Sequence, residues 1–165
     1  MTIAIDHCDT PFGALRIAVD DLGRLVRIDF PGKHQLLPGE TESARRCAKV
    51  RRQLGEYFAG KRRDFDLECA PAGTPFQQRA WAALQRIPFG RTVSYQDQAV
   101  RLGDHKATRA VGAANGRNPI PIVIPCHRVI GKNGKLTGFG GGLDTKKWLL
   151  DHERRVLGER TLFET

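Results

Sequence analysis

The sequence predicts an α/β N-terminal part joined to a mainly helical C-terminal part, and a few local observations carry that prediction. Apolar residues alternate with period two at 14–20 and 25–30, whereas beyond residue 73 helix-start signals recur. Between the two regions stands a breaker, Pro71-Ala72-Gly73, which sets expected subdomains at 1–73 and 74–165. A chain of 165 residues is long enough to bury a core.

In the first part, Leu15, Ile17 and Val19 share one side of a strand over 14–20, and Arg16, Ala18 and Asp20 share the other. That is the pattern of a half-buried strand. Asp20-Asp21-Leu22-Gly23 supplies turn chemistry, and 25–30 returns as a partner strand with Val26, Ile28 and Phe30 on one face. Residues 31–41 read as loop. A helix is expected over about 42–59, where Cys47, Val50, Leu54, Tyr57 and Phe58 recur near helical period and Arg45, Arg46, Arg51 and Arg52 stay wet. Phe65, Leu67 and Cys69 alternate again and predict a further strand. The whole reads as a small antiparallel sheet with one helix.

The second part opens on Thr74 as N-cap, Pro75 at the first helical position and Gln77 at the capping-box position. Phe76, Ala80, Trp81 and Leu84 face inward, and Ile87-Pro88-Phe89-Gly90 ends the helix. Ser94 then caps a short helix through Leu102, Gly103-Asp104 turns the chain, and Asp104 caps another from about His105 to Asn115. Two short helices joined by a tight glycine turn make a helix-turn-helix pattern. The second of them carries Ala107, Ala110, Gly112, Ala113 and Ala114, which let it approach either another part of the protein or an external surface closely. A last helix starts at Asp144 and runs through Trp148, Leu149 and His152 to Leu157.

Net charge is +9, and it is unevenly spread: 12 Lys/Arg against 11 Asp/Glu in 1–73, but 15 against 7 in 74–165. The excess favours a polyanionic partner held by phosphate contacts, although a solvated basic face has the same composition. Cys8, Cys47, Cys69 and Cys126 are too few for a disulfide scaffold and show no CxxC pairing, so reduced thiols are expected. No stretch approaches the ~20 apolar residues of a membrane span, and the N-terminus lacks a signal-peptide pattern. A cytoplasmic protein with no membrane partner is expected. His7, Cys8 and His34 lack the spacing of a full tetrahedral zinc set, and no cofactor signature appears; neither metal nor cofactor is expected.

The stretch with most chemistry is Ile124-Pro125-Cys126-His127-Arg128-Val129-Ile130. A free thiol of pKa ~8.5 is mostly protonated at neutral pH, so a nucleophilic cysteine needs a lowered pKa or a base. His127 is the candidate. On extended backbone its side chain would point away from Cys126, so a bridging water is needed, with Asp151 or Glu153 of the late helix orienting the imidazole. The alternative is that Cys126 is a small buried hydrophobe.

The same residues resemble the O6-alkylguanine-DNA alkyltransferase family. The likeness rests on Pro125-Cys126-His127-Arg128-Val129 followed by Gly138-Phe139-Gly140-Gly141-Gly142. Upstream it includes Thr74-Pro75-Phe76-Gln77-Gln78, Trp81, Ile87-Pro88, Val93-Ser94-Tyr95-Gln96, Arg109-Ala110-Val111-Gly112, Asn115 and Asn118-Pro119. Downstream it includes Trp148-Leu149-Leu150 and His152-Glu153.

The resemblance implies a ribonuclease-H-like N-terminal scaffold, a winged helix-turn-helix in the C-terminal part, and direct reversal of O6-alkylguanine in DNA, with O4-alkylthymine as a further substrate left open. It makes Cys126 the single-turnover nucleophile, His127 its base through water, Glu153 the group that holds His127, and Tyr95 the donor to guanine N3. Ala107, Ala110, Gly112 and Ala113 would lie in the DNA minor groove, and Arg109 would enter the base stack in place of a flipped nucleotide. Asn118, Pro125 and Arg128 would support the active-site turn.

Phe139 and Gly140 fall in a glycine loop closing over the base. They depart from the tyrosine and serine that other members carry there, and this removes hydroxyl contacts to the purine. The implied partner is alkylated duplex DNA bound by a monomer, with cooperativity open. A lesion-binding protein without transferase activity, a winged-helix regulator and a cysteine hydrolase are the competing readings. The first of these replaces the cysteine that this chain keeps.

Overall fold

The computed structural model describes residues 2–162, and the chain divides into two compact units, Met1–Ala72 and Gly73–Thr165.

The first unit is a four-stranded sheet backed by one helix. Strands β1 (Ile3–Thr10), β2 (Gly13–Val19) and β3 (Leu25–Asp29) form an antiparallel meander, and β4 (Glu40–Glu42) adds to β1 in parallel, giving the order β3-β2-β1-β4. Register places Ala4 and Cys8 beside Val19 and Leu15 on one face of the meander. Helix α1 (Ala44–Phe58) packs against β1 and β2, burying Cys47, Val50, Leu54 and Tyr57. Its N-cap is Ser43, whose hydroxyl accepts from the Arg46 N–H, a bond worth about 1 kcal/mol.

Four features of this unit differ from the sequence expectation. Strand β2 is buried on both faces, because Arg16 on the side expected to be wet bonds the Gln35 carbonyl at 3.0 Å and pairs with Glu40 at 2.5 Å. The segment expected as loop therefore supplies both a short strand and the partner of a buried guanidinium. At Phe65–Cys69 the expected strand is reduced to one bridge, Leu25 to Cys69. Strand β1 was missed because its inward residues include Asp6, which α1 neutralises through Arg51.

The second unit is mainly helical. Helix α2 (Pro75–Leu84) begins at Thr74 with a complete capping box to Gln77 and Pro75 at the start. The two-residue strand β5 (Val93–Ser94) leads into α3 (Tyr95–Arg101), where Ser94 and Asp97 form a second capping box. Helix α4 (Thr108–Gly116) starts three residues later than expected from an Asp104 cap. Asp104 instead accepts from the Lys106 N–H and closes a turn at Ala107, which holds the N-cap place with no side-chain cap.

After α4 the chain runs through a buried segment at 120–128, and β6 (Val129–Ile130) pairs in parallel with β5. Helix α5 (Leu143–Val156) closes the unit. Its N-cap is Gly142 rather than Asp144, which lies in the first turn. Trp81 of α2 donates to the Ala114 carbonyl at 2.9 Å, and Gln98 of α3 exchanges amide bonds with Asn115 at 3.0 and 2.8 Å. Helix α4 is thus tied to α2 and α3 by buried polar bonds as well as by Val111. Among the described residues no helix is long and apolar enough to cross a membrane.

Candidate active site

The bend that leads into Cys126 is set by local chain geometry. Asn118 donates to the Ile124 carbonyl at 2.8 Å and accepts from the Ile120 N–H at 2.9 Å, so one amide spans the segment before the cysteine. Ile122 is forced to φ 75°, a conformation that a β-branched residue rarely adopts. The Cys126 N–H reaches back to the Ile124 carbonyl at 2.8 Å around Pro125 (φ −82°, ψ 66°), an inverse γ-turn. Cys126–Arg128 then forms a single 3₁₀ turn rather than extended backbone.

That turn sends His127 and Arg128 into the interior, where both meet Glu153 of α5. His127 Nε2 lies 2.7 Å from one carboxylate oxygen, and Arg128 bonds both oxygens at 2.8 and 3.0 Å. The Gly90 N–H adds a bond at 3.0 Å. Gly90 has φ +76°, and a β-carbon there would meet Leu157 at 2.2 Å, so only glycine fits where that N–H is needed. Arg128 also donates to the Ile87 carbonyl at 2.8 Å and lies over the Phe89 ring.

Burial would raise the Glu153 pKa, but His127, Arg128 and the hydrogen bonds they make hold its carboxyl well below the usual range. It stays ionised. Burial lowers the His127 pKa and outweighs the upward pull of Glu153, so the imidazole is neutral. An ionised Glu153 can only accept; Nε2 therefore carries the proton and Nδ1 presents a lone pair. Among the described residues Nδ1 has no hydrogen-bond partner.

Cys126 lies on the wall of a cavity of about 520 Å³ with Tyr95, Arg109, Gly112, Asn115, Thr137, Phe139 and Gly140. Burial raises the thiol pKa, against the pull of Asn118, Lys146 and the cysteine's own backbone. The thiol is therefore protonated at rest, and of the two routes open from sequence, a lowered pKa or a base, it needs the base.

Residues 75–155 match the family described as 6-O-methylguanine DNA methyltransferase, DNA binding domain, and residues 5–71 match its ribonuclease-like domain. The chain belongs to the 6-O-methylguanine DNA methyltransferase family. It is 51% identical over 149 residues to the methylated-DNA--protein-cysteine methyltransferase of Mycolicibacterium paratuberculosis, covering 89% of this chain and 90% of the relative. It is 45% identical over 153 residues to the constitutive enzyme of that name from Bacillus subtilis, covering 88% and 92%. The crystal structure of Mycobacterium tuberculosis OGT in complex with DNA superposes with a TM-score of 0.86 at 40% identity, covering 94% of each chain.

Of the residues singled out from sequence in this family member, Tyr95 stands at the first position of α3, and its hydroxyl accepts from Thr137 at 3.0 Å. Arg109, Ala110 and Ala113 are exposed on α4, with Gly112 half-buried beside Tyr95. Ala107 lies before the helix. Asp151, the other candidate for orienting His127, pairs instead with Lys147 at 2.6 Å. His7 is exposed and Cys8 buried in the N-terminal sheet.

Sequence reasoning missed Lys146, which is 1% exposed and donates to the carbonyls of Val129 at 2.7 Å and Thr137 at 2.9 Å. Burial lowers its pKa to about 8, with the charge that Cys126 gains on ionisation pulling the other way. A lysine on an amphipathic helix ordinarily reads as solvated, and only its place among Leu143, Leu149 and Leu150 hinted otherwise.

Proposed function

We propose that this chain repairs O6-alkylguanine in duplex DNA by transferring the alkyl group irreversibly to Cys126. One observation carries the reading: Cys126 faces an open cavity while the turn that holds it buries a neutral imidazole locked by an ionised glutamate. Such a base, with its lone pair on Nδ1, accepts the thiol proton through one water.

The thiolate then attacks the O6-bound alkyl carbon. The new C–S bond forms as the C–O6 bond breaks, the electron pair moves onto the purine, and the Tyr95 hydroxyl donates its proton to guanine N3. The proton held by His127 returns through solvent to Tyr95. The product is a thioether, which offers water no ready leaving group, so each molecule acts once. Lys146 supports the thiolate electrostatically and ties the chain after Cys126 to Thr137, which contacts Tyr95.

The partner we infer is alkylated duplex DNA, held by α4 through the minor groove. Its exposed face carries Ala110 and Ala113, little hardware for a major-groove base code. In this reading α3 and α4 act as a helix-turn-helix, Arg109 fills the stack vacated by the flipped base, and Phe139 and Gly140 close over it. Met1–Ala72 serves as scaffold, and Gly73–Thr165 carries DNA binding and transfer.

The test is stoichiometry: a duplex carrying labelled O6-methylguanine in tenfold excess should lose one methyl group per protein molecule and no more, measured as protein-bound label. Continued turnover would reject the mechanism in favour of a hydrolase. Arg109→Ala should impair extrusion more than binding. With 2-aminopurine at the lesion site, the fluorescence rise should fall severalfold while duplex affinity changes by less than about tenfold, since one phosphate contact at most is lost. Unchanged fluorescence would remove the finger role.

A further inference from the structure

A second concavity of the C-terminal unit, about 420 Å³, lies between α2 and the end of α3. Arg79, Arg86 and Arg101 line it, with Ala82, Ala83 and Leu102. Arg79 donates to the Leu102 carbonyl at 2.8 Å, which fixes one guanidinium on its wall. Among the described residues none of the three arginines has a carboxylate at ion-pair distance. Asp97, one turn before Arg101, feels its charge, but its carboxylate accepts from the Ser94 N–H in the capping box while its own N–H donates to the Ser94 hydroxyl.

Like charges gathered in one groove without a counter-charge repel, and an anion relieves that repulsion. Planar guanidinium forks match phosphate oxygens in pairs. Helix α3 joins this groove to the reactive cavity: Tyr95 at its first residue lines one, and Arg101 at its last lines the other. Seven residues rise about 10 Å, and at ~3.4 Å per phosphate along one strand that is about three nucleotides.

We propose that this arginine groove is a phosphate-binding site for the DNA backbone a few nucleotides from the lesion, anchoring the duplex arm beside the reactive cavity. The inference rests on the reading that this chain binds alkylated duplex DNA. It adds a site away from the cavity and from α4, and one that carries no sequence information.

The experiment compares the wild type with the double variant R86Q/R101Q, leaving Arg79 to hold Leu102. Binding to a 24-base-pair duplex with a central O6-methylguanine is titrated from 50 to 300 mM salt. The slope of log K against log salt should fall in magnitude by about one to two, because each lost phosphate contact removes ~0.9. The affinity gap should close as salt rises, and the rate of methyl transfer from free O6-methylguanine base should stay within twofold of wild type. An unchanged slope overturns the proposal. So does loss of binding to inorganic phosphate, read by ³¹P line broadening, with the DNA slope intact, since the groove would then serve a free anion. Failure of the wild type to transfer methyl groups at all, with the slope difference still present, would reject the transferase reading and leave the groove standing.

Discussion

Replacing Glu153 with glutamine is expected to disable alkyl transfer and to destabilise the C-terminal unit together. The carboxylate is completely buried and accepts from His127, from Nε and Nη2 of Arg128 and from the Gly90 N–H. An amide can satisfy only some of these donors, and its own N–H₂ faces another. It also leaves Arg128, 7% exposed, without a counter-charge; breaking a buried pair in this way costs about 3–5 kcal/mol.

The pH dependence follows from the sign of the shift. Glu153 is held below its ordinary value, so its contribution is present above the unfolded-chain value near 4.3 and is lost as pH falls below it. Denaturant titrations should therefore show the largest gap between wild type and Glu153→Gln at neutral pH, narrowing below about pH 4. In the folded variant, alkylation of Cys126 by iodoacetamide should shift to higher pH and slow by about a hundredfold at pH 7. An unaltered pH profile would remove Glu153 and His127 from thiol activation.

The second large effect is expected at Lys146. Lys146→Met keeps most of the stem's volume but removes the ammonium beside the thiol, together with its bonds to Val129 and Thr137. Loss of a nearby positive charge raises a thiol pKa by about one to three units. Methyl transfer at neutral pH should accordingly slow by about ten- to a thousandfold.

Stability should follow a different course from rate. The lysine ionises near 8 in the folded protein and near 10.4 when unfolded, so the unfolded chain binds more protons between those values. Wild-type stability should rise relative to Lys146→Met as pH increases from about 8 to about 10. A rate loss that Lys146→Arg rescues would show that charge matters; equal rates in wild type and the Met variant would leave Lys146 with a packing role alone.

What could be read from the chain was what local chemistry writes down. Thr74-Pro75-Phe76-Gln77 and Ser94-Tyr95-Gln96-Asp97 carry their own start signals, and both capping boxes form. Asp104 misled because the same side chain that caps a helix also closes a turn, and here it does the latter. Strand alternation overreached at Phe65–Cys69 and was silent at β1, where a charged residue faces the helix beside apolar ones.

At the candidate site, Cys126 and His127 were legible from thiol chemistry and the family likeness chose Glu153 over Asp151, but the 3₁₀ turn between Cys126 and Arg128 was not legible. It depends on Asn118 bridging Ile124 and Ile120, a contact across the segment that no period records. Arg128 as partner of Glu153, the Gly90 N–H and Lys146 were invisible for the same reason. Each is defined by where α5 meets a distant stretch of chain, not by its own neighbours.

The most direct measurement is intact-mass spectrometry with peptide mapping after incubation with a duplex containing one O6-methylguanine. The expected result is a gain of a single methyl mass on the peptide holding Cys126, equal in amount to the guanine restored, and absent in Cys126→Ser. No mass gain while the protein binds the lesion and leaves it intact would contradict transfer to Cys126 and make the cavity a recognition pocket.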